Sequence, residues 1–319
     1  MDVSTIVMYL GFVLASYSVV GNDTIQTLGT FLSSNERKKW WVLWAFAGSI
    51  LTFTLLFGYF NYGGDVSYGR LEKYPLPTPL AWYFILPPII LLFLTRTGIP
   101  VSTSFLILTF FNPENLRDMI TKSLWGYIVA FLAAVALYLI ISKLLERKFI
   151  ENPATRREGE IWTVLQWVST GFLWSQWLIQ DFANIYVYLP RPLNPWQLAL
   201  SLIVMLALLA YIIASKGGSI QNIVKSKTNT VDIRSATIID FSYGIILFFF
   251  KELNNIPMST TWVFIGILAG REIAINFMLR KNESRRRMFR NLEMDLVKVV
   301  IGLVVSIILV YVVKYLAAA

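Results

Sequence analysis

Apolar residues run along this chain in blocks, and polar residues interrupt them at two places that resemble each other. The blocks cover about 4–20 and onward, 40–60, 123–142, 161–179 and onward, 196–214 and 297–317. Each approaches or exceeds the roughly 20 apolar residues that carry a helix across a bilayer core. The period-2 alternation of a membrane barrel is absent, so helices are the predicted spanning elements. Two further apolar stretches read as hairpins. The first rises over 82–94, turns at Thr95, Arg96, Thr97 and Gly98, and returns over 105–111; the second rises over 236–250, turns at Lys251 to Asn255, and returns from Trp262 to Ala269 or beyond. The first return run is too short to span. It predicts a re-entrant hairpin, whose broken backbone is tolerated at that depth only under cover of protein or a wet cavity.

The interruptions repeat. Ile99-Pro100-Val101-Ser102-Thr103-Ser104 returns as Ile256-Pro257-Met258-Ser259-Thr260-Thr261, and Asn22-Asp23 returns as Gln180-Asp181. The offsets are 157 (102 to 259) and 158 (23 to 181), close to half of the 319 residues. Each half then reads as a helix carrying the Asp, a second helix, a broken hairpin carrying the hydroxyls, and a closing helix. The expected division is a first repeat over 1–142, a cytoplasmic linker over 143–160 and a second repeat over 161–319. With hairpins that enter and leave on one side, the crossing count turns the second half upside down relative to the first. The expected fold is all-α, a polytopic membrane protein of two inverted-topology repeats, each with a re-entrant helical hairpin. The plain alternative is an old duplication retained only as a scaffold.

Composition adds an orientation. With 56% apolar residues, 15% aromatic residues and a mean hydropathy of +0.60, the chain belongs in a bilayer. Its net charge of +9 would suit nucleic acid, but the basic residues are segregated. With the N-terminus outside, the inner connections at 34–39, 143–160, 216–235 and 271–298 hold about 20 of the 28 Lys and Arg, and the outer ones with the C-terminal end about 6. That is the positive-inside pattern, and it argues against a nucleic-acid partner. The expected location is the plasma (inner) membrane, multi-pass, with both termini outside. Asp2 stands where a signal peptide would be basic, so the first helix is expected to remain in the mature protein.

The chain has no Cys and no His. Thiolate chemistry, disulfides and imidazole proton relays are excluded, and cation chemistry falls to carboxylates, amides and hydroxyls. Asp23 and Asp181 lie within apolar helices, where an ionised carboxylate is costly unless a cation or hydrogen-bond donors compensate it. Their neighbours Asn22 and Gln26 in the first copy, and Gln180 and Asn184 in the second, carry the same amides in exchanged order. Carboxylate with amide oxygen suits a hard cation such as Na+, and carboxylate alone suits H+. The plain alternative is an Asp that caps a helix or pairs with a buried Arg. In each hairpin, Pro100 or Pro257 favours a first helical turn whose next residues are hydroxyls. Helix N-termini with added hydroxyl donors favour an anion, unless the hydroxyls merely cap the broken helices.

The Asn-Asp motif followed by a Pro-apolar-Ser-Thr-Ser/Thr hairpin, duplicated in inverted halves, resembles the inorganic phosphate transporter (PiT) family, and the short length is similar to its compact prokaryotic members. The resemblance covers nearly the whole chain as architecture and rests on two short motif pairs as sequence. It implies cation-coupled symport of inorganic phosphate, with Asn22, Asp23, Gln180, Asp181 and Asn184 at the cation site and Ser102, Thr103, Ser104, Ser259, Thr260 and Thr261 holding phosphate. It also implies a homodimer, no cofactor beyond Na+ or H+ as coupling ion, and no enzymatic activity. There are departures. Gln26 and Gln180 stand where the family usually has Asn, the second copy lacks the family's Gly, and Phe105 and Trp262 replace the His that commonly follows the hydroxyls.

Other readings follow from the same residues. Sulfate is a second substrate for such a site, although only a protonatable oxyanion can donate a hydrogen bond to an Asp. A membrane enzyme acting on lipid phosphates would need a nucleophile or metal near the interface, and the chain offers neither His nor Cys. A transport-inactive relative serving as sensor or assembly partner is consistent with the altered second Asp motif. Arg285, Arg286, Arg287 and Arg290 read as an ordinary inner loop or a lipid-headgroup contact. Trp40, Trp41, Trp44, Trp162, Trp167, Trp174 and Trp177 read as interfacial or packing aromatics, and Asp240 and Arg271-Glu272 as cavity-facing or paired.

Overall fold

The computed structural model describes residues 2–96, 101–141, 155–215, 233–253, 257–279 and 282–318. The described residues form helices: α1 (Val3–Ser34), α2 (Trp40–Asn61), α3 (Leu86–Arg96) after a single 3-10 turn, α4 (Thr103–Phe111), α5 (Leu116–Ile141), α6 (Arg156–Tyr186), α7 (Pro195–Ala214), α8 (Ile233–Leu253), α9 (Thr260–Leu279) and α10 (Asn282–Ala318). Among them the segments Val3–Thr24, Trp40–Asn61, Pro113–Leu137 and Pro195–Ala214 are long and apolar enough to cross a membrane. The chain is an all-α, multi-pass membrane protein.

Local chemistry sets several helix ends. Asn35 closes α1 by donating its side-chain amide to the Phe31 carbonyl (2.9 Å). Thr155 with Glu158, and Asn194 with Gln197, form reciprocal capping boxes at the starts of α6 and α7, satisfying amides that a first turn leaves open. Two ends differ from the sequence pattern. Helix α8 continues through Lys251 and Glu252 to Leu253 because Lys, Glu and Leu are good helix formers; the rest of that turn, 254–255, lies outside the described residues. Helix α10 begins at Asn282, well before the apolar block at 297, since hydropathy marks only the part of a helix that sits in lipid.

The first hairpin is re-entrant. Helix α3 has 11 residues and α4 has 9, so they rise about 16 and 14 Å, roughly half of a 30 Å core. Both ends return to one face: Phe84, before α3, packs its ring 4.9 Å from Phe111 at the end of α4. Asn112 donates to the Lys73 carbonyl at 2.7 Å in the loop after α2. That face also carries the start of α1, because Leu80 N–H donates to Ser4 Oγ at 2.8 Å. The second hairpin starts from the opposite face, where Asp240 of α8 meets Thr30 near the end of α1 and Thr170 in the first half of α6 (both 2.7 Å).

Helices α1 and α6, the two bearers of the Asp motifs, pack antiparallel. Phe12 meets Tyr186 (centroids 5.6 Å), Phe31 meets Trp167 (5.2 Å), and Asn35 donates to Gln166 Oε1 (3.1 Å). Around them α2 packs on α6 and α7 on α1, while α4 packs on α10 and α9 on α5. Equivalent helices thus have equivalent neighbours, an arrangement consistent with inverted halves. The α5–α9 contact is the closest. Gly266 and Gly270 lie against the backbone carbonyls of Tyr127 and Phe131, with Ala130 and Ala134 beside them. Small residues four apart on both helices are the usual way for membrane helices to approach at backbone distance.

Candidate functional site

The three hydroxyls of each hairpin tip have three different jobs. Ser102 is an N-cap: its Oγ accepts from the Phe105 N–H (3.2 Å), and Ser259 does the same for Trp262 (3.2 Å). The capping reading therefore holds for this pair. Ser104 and Thr261 cross between tips. Ser104 Oγ donates to the Met258 carbonyl (3.2 Å), and Thr261 Oγ1 donates to the Val101 carbonyl (3.3 Å), so positions equivalent in the repeat exchange equivalent bonds. Phe105 and Trp262 stack edge to face beneath them (5.3 Å). The middle hydroxyls face the carboxylates. Thr103 Oγ1 donates to Asp181 Oδ1 (3.2 Å) and accepts from Asn184 Nδ2 (3.1 Å). Thr260 lies near Asp181 but its Oγ1 has no hydrogen-bond partner among the described residues.

Asp23 and Asp181 are both fully buried, and each feels its surroundings across the pair: Thr103 faces both carboxyls, and the charge of Asp181 acts on Asp23. Both stand inside their helices, so neither caps one. Asn22 Nδ2 donates to Asp23 Oδ1 (2.7 Å) and to the Val101 carbonyl (3.4 Å). Asn184 Nδ2 donates to Asp181 Oδ1. In both halves the Asn serves the Asp, at i−1 in one copy and i+3 in the other. Gln180 instead turns its amide N–H to the Leu247 carbonyl of α8 (3.3 Å).

What remains is a set of oxygens. Asp23 Oδ2, Asp181 Oδ2, Gln26 Oε1, Gln180 Oε1 and Asn184 Oδ1 are buried without a hydrogen-bond partner among the described residues. Buried polar atoms are seldom left so, and acceptors alone call for a cation or a proton-bearing ligand. No group of three metal-ligating His, Cys, Asp or Glu occurs among the described residues. The donor set, carboxylate with amide and hydroxyl oxygen, suits a hard monovalent ion.

Of the predicted site residues, the structure brings Asn22, Asp23, Thr103, Ser104, Asp181, Asn184, Thr260 and Thr261 into one connected cluster with both tips. The preceding Gly98, Ile99, Pro100, Asn255 and Ile256 lie outside the described residues. A scan of protein-family models matches none, and a search of curated proteins finds no match. Among solved structures, one described as "The sodium-dependent phosphate transporter" aligns with 99% of this chain and 100% of its own, at TM-score 0.65 and 15% identity. The chain has the fold of that phosphate transporter.

Within this transporter fold the structure adds residues that the sequence pattern did not single out. Ser123 of α5 accepts the Ser259 N–H (2.8 Å) and so fixes the second tip from the other half. Tyr243 of α8 donates to the Thr260 carbonyl (3.0 Å). Arg70, in the loop after α2, is buried and acts on Asp181 through its charge. Burial lowers its guanidinium to about 10, a drop opposed by the nearby Asp181, Tyr62 and Glu252, so it stays charged at neutral pH. None of these three has a partner residue of the same type in the other repeat, and no local periodicity marks them. Asp240 bridges Thr30 and Thr170 away from the tips, while Trp174 and Trp177 are buried and stacked at 4.9 Å. Trp40 and Trp41 are exposed, as interfacial residues would be.

Proposed function

We propose that the protein is a symporter that carries inorganic phosphate across the plasma membrane with a coupling cation, by alternating access of its two halves, 1–142 and 161–319. The observation that carries this reading is the convergence of both Asp motifs and both hydroxyl tips in one buried cluster whose unpaired atoms are mostly oxygens. The cation is held by Asn22, Asp23, Gln180, Asp181 and Asn184. Phosphate is held by Thr103, Ser104, Thr260 and Thr261 with the helix starts at Ser102 and Ser259. Two buried carboxylates would repel an oxyanion; a cation bound between them removes that repulsion, which gives coupling a physical cause. Hairpins that enter from opposite faces supply a gate for each side. Na+ fits the amide-rich oxygen set better than H+, in keeping with the sodium dependence of the solved transporter of this fold.

The test is uptake of radiolabelled phosphate into proteoliposomes under an imposed Na+ or proton gradient, with sulfate as competitor. Uptake driven by the Na+ gradient, and lost in Asp23→Asn and Asp181→Asn, is the expected result. Folded wild-type protein that takes up no phosphate under either gradient would overturn the assignment.

A further inference from the structure

Helices α2 and α6 come from different halves of the chain, and side chains do not close the seam between them. Two cavities lie along it. One, of about 480 Å³, is walled by Phe46 and Ile50 of α2 and by Val164, Trp167, Val168 and Gly171 of α6. The other, of about 640 Å³, continues from the same Ile50 and Gly171 past Phe53 and Ser175 to Phe57 and Ile179. The shared residues make them one furrow, which follows α6 from Thr163 to Ile179, a length of about 24 Å in a helix. Gly171 keeps its floor open, since a Cβ there would stand 3.2 Å from Ile50 Cδ1 and 3.3 Å from Phe46 Cζ. Its rims face outward, with Phe53 71% and Val168 66% exposed, so in a bilayer the furrow is filled from the lipid side.

Size and charge decide what fills it. Packed helix axes stand about 8–10 Å apart, while a helix with its side chains is about 10–12 Å across. A helix of another chain would therefore rest on the rims and leave the floor at Gly171 empty. An acyl chain is thin enough to enter. The mouth lies on the face opposite the α1 start and is basic: Lys38 Nζ sits 5.6 Å over the ring of Trp167, itself part of the wall, and its chain neighbours Arg37 and Lys39 are exposed. The acidic groups on that face are Glu36 in the same loop and Glu158 and Glu160 at the start of α6, of which Glu158 is turned back onto Thr155. Exposed Trp40 and Trp41 follow at once, as at the level of lipid headgroups. From Thr163 to Gly171 the furrow descends about 12 Å, close to the roughly 15 Å of hydrocarbon in one leaflet. We propose that this furrow binds one anionic phospholipid, its headgroup on Lys38 and Lys39 and one acyl chain laid along α6 against Trp167 and Gly171. The site is separate from the Asp and hydroxyl cluster and does not rest on the transport reading.

The experiment titrates purified, delipidated protein in detergent with phosphatidylglycerol or with phosphatidylcholine of the same acyl chains, and counts bound lipid by native mass spectrometry. Wild type should hold one phosphatidylglycerol more tightly than phosphatidylcholine, by about fivefold for each lysine in contact. Lys38→Gln with Lys39→Gln should remove that preference. Val168→Trp, which puts a ring into the furrow, should weaken both lipids by about tenfold or more, because several buried methylenes are displaced. Val304→Trp, at an exposed position of α10, should change neither. Equal binding of the two lipids by wild type, a preference that survives the lysine changes, or binding that Val168→Trp does not weaken overturns the site. So does wild type that binds no lipid but forms a dimer weakened by Val168→Trp, a result that would assign the furrow to a second copy of the chain. If Val168→Trp does not fold, the lysine variant decides by the lipid preference.

Discussion

Gly266→Ala tests whether the contact between α5 and α9 sets the position of the second hairpin tip. The added Cβ would stand 2.6 Å from the Tyr127 carbonyl oxygen and 3.1 Å from the Ala130 Cβ. A carbonyl in a helix cannot swing aside as a flexible side chain can, so the two helices must separate by a few tenths of an ångström or more. Overpacking of this kind costs about 1–3 kcal/mol, against a gain of about 1 kcal/mol from the better helix propensity of Ala, leaving a net loss of roughly 0–2 kcal/mol. The displacement also reaches the site, because Ser259 and Val263 of the same hairpin rest on Ser123 and Gly126 of α5. Thermal unfolding in detergent should show a lower Tm for Gly266→Ala and a larger drop for Gly266→Val, with phosphate uptake falling in parallel. Gly159→Ala is the control, since nothing lies within 4 Å of its added Cβ. Gly266→Val as stable and active as wild type would refute close backbone packing as the device that holds the tip.

Three further outcomes are expected. Ser104→Ala leaves the Met258 carbonyl without its hydroxyl donor and should destabilise by about 1–3 kcal/mol, Thr261→Val should cost less because Asn22 still donates to the Val101 carbonyl, and a double-mutant cycle should show coupling between the two tips. Asp240→Asn keeps one acceptor oxygen for Thr30 or Thr170 and loses the other, costing about 1–3 kcal/mol by thermal unfolding while phosphate KM stays at the wild-type value. Glu158 is held below its usual carboxylate value of 4.5 by the Thr155 N–H and hydroxyl. A depressed folded value means that its support for α6 is complete above the unfolded value and is lost as pH falls through the folded one. Protection of the amides in the first turn of α6, relative to their intrinsic exchange, should therefore fall in wild type as pH drops below the usual carboxylate range, and be low already at neutral pH in Glu158→Ala.

Much of this architecture is legible in the sequence because it is written twice. The Ser-Thr tips and the Asp motifs recur at offsets of 157 and 158, which pairs the halves, and the return run 105–111 is too short to span, so the re-entrant hairpin follows from its length. The residues that escape are single copies. Arg70 reads as one more charge in an outer loop, Ser123 as part of the polar start of a spanning helix, and Tyr243 as one aromatic among many. What joins them to the site is adjacency in space, between positions 17 apart for Tyr243 and Thr260 and 136 apart for Ser123 and Ser259, which no window along the chain records. The repeat itself also misleads in one respect. Position-by-position equivalence would give Asn22 and Gln180 one role and Gln26 and Asn184 another, yet in both halves it is the Asn that bonds its Asp, while both Gln oxygens have no hydrogen-bond partner among the described residues. The duplication thus conserves a chemical pairing and not a register: the shorter amide orients the carboxylate, and the longer one presents oxygen. On that logic the inverted order of amides in the second motif is no sign of decay, and a chain carrying Gln180→Asn with Asn184→Gln should couple less well than wild type even though its composition is unchanged.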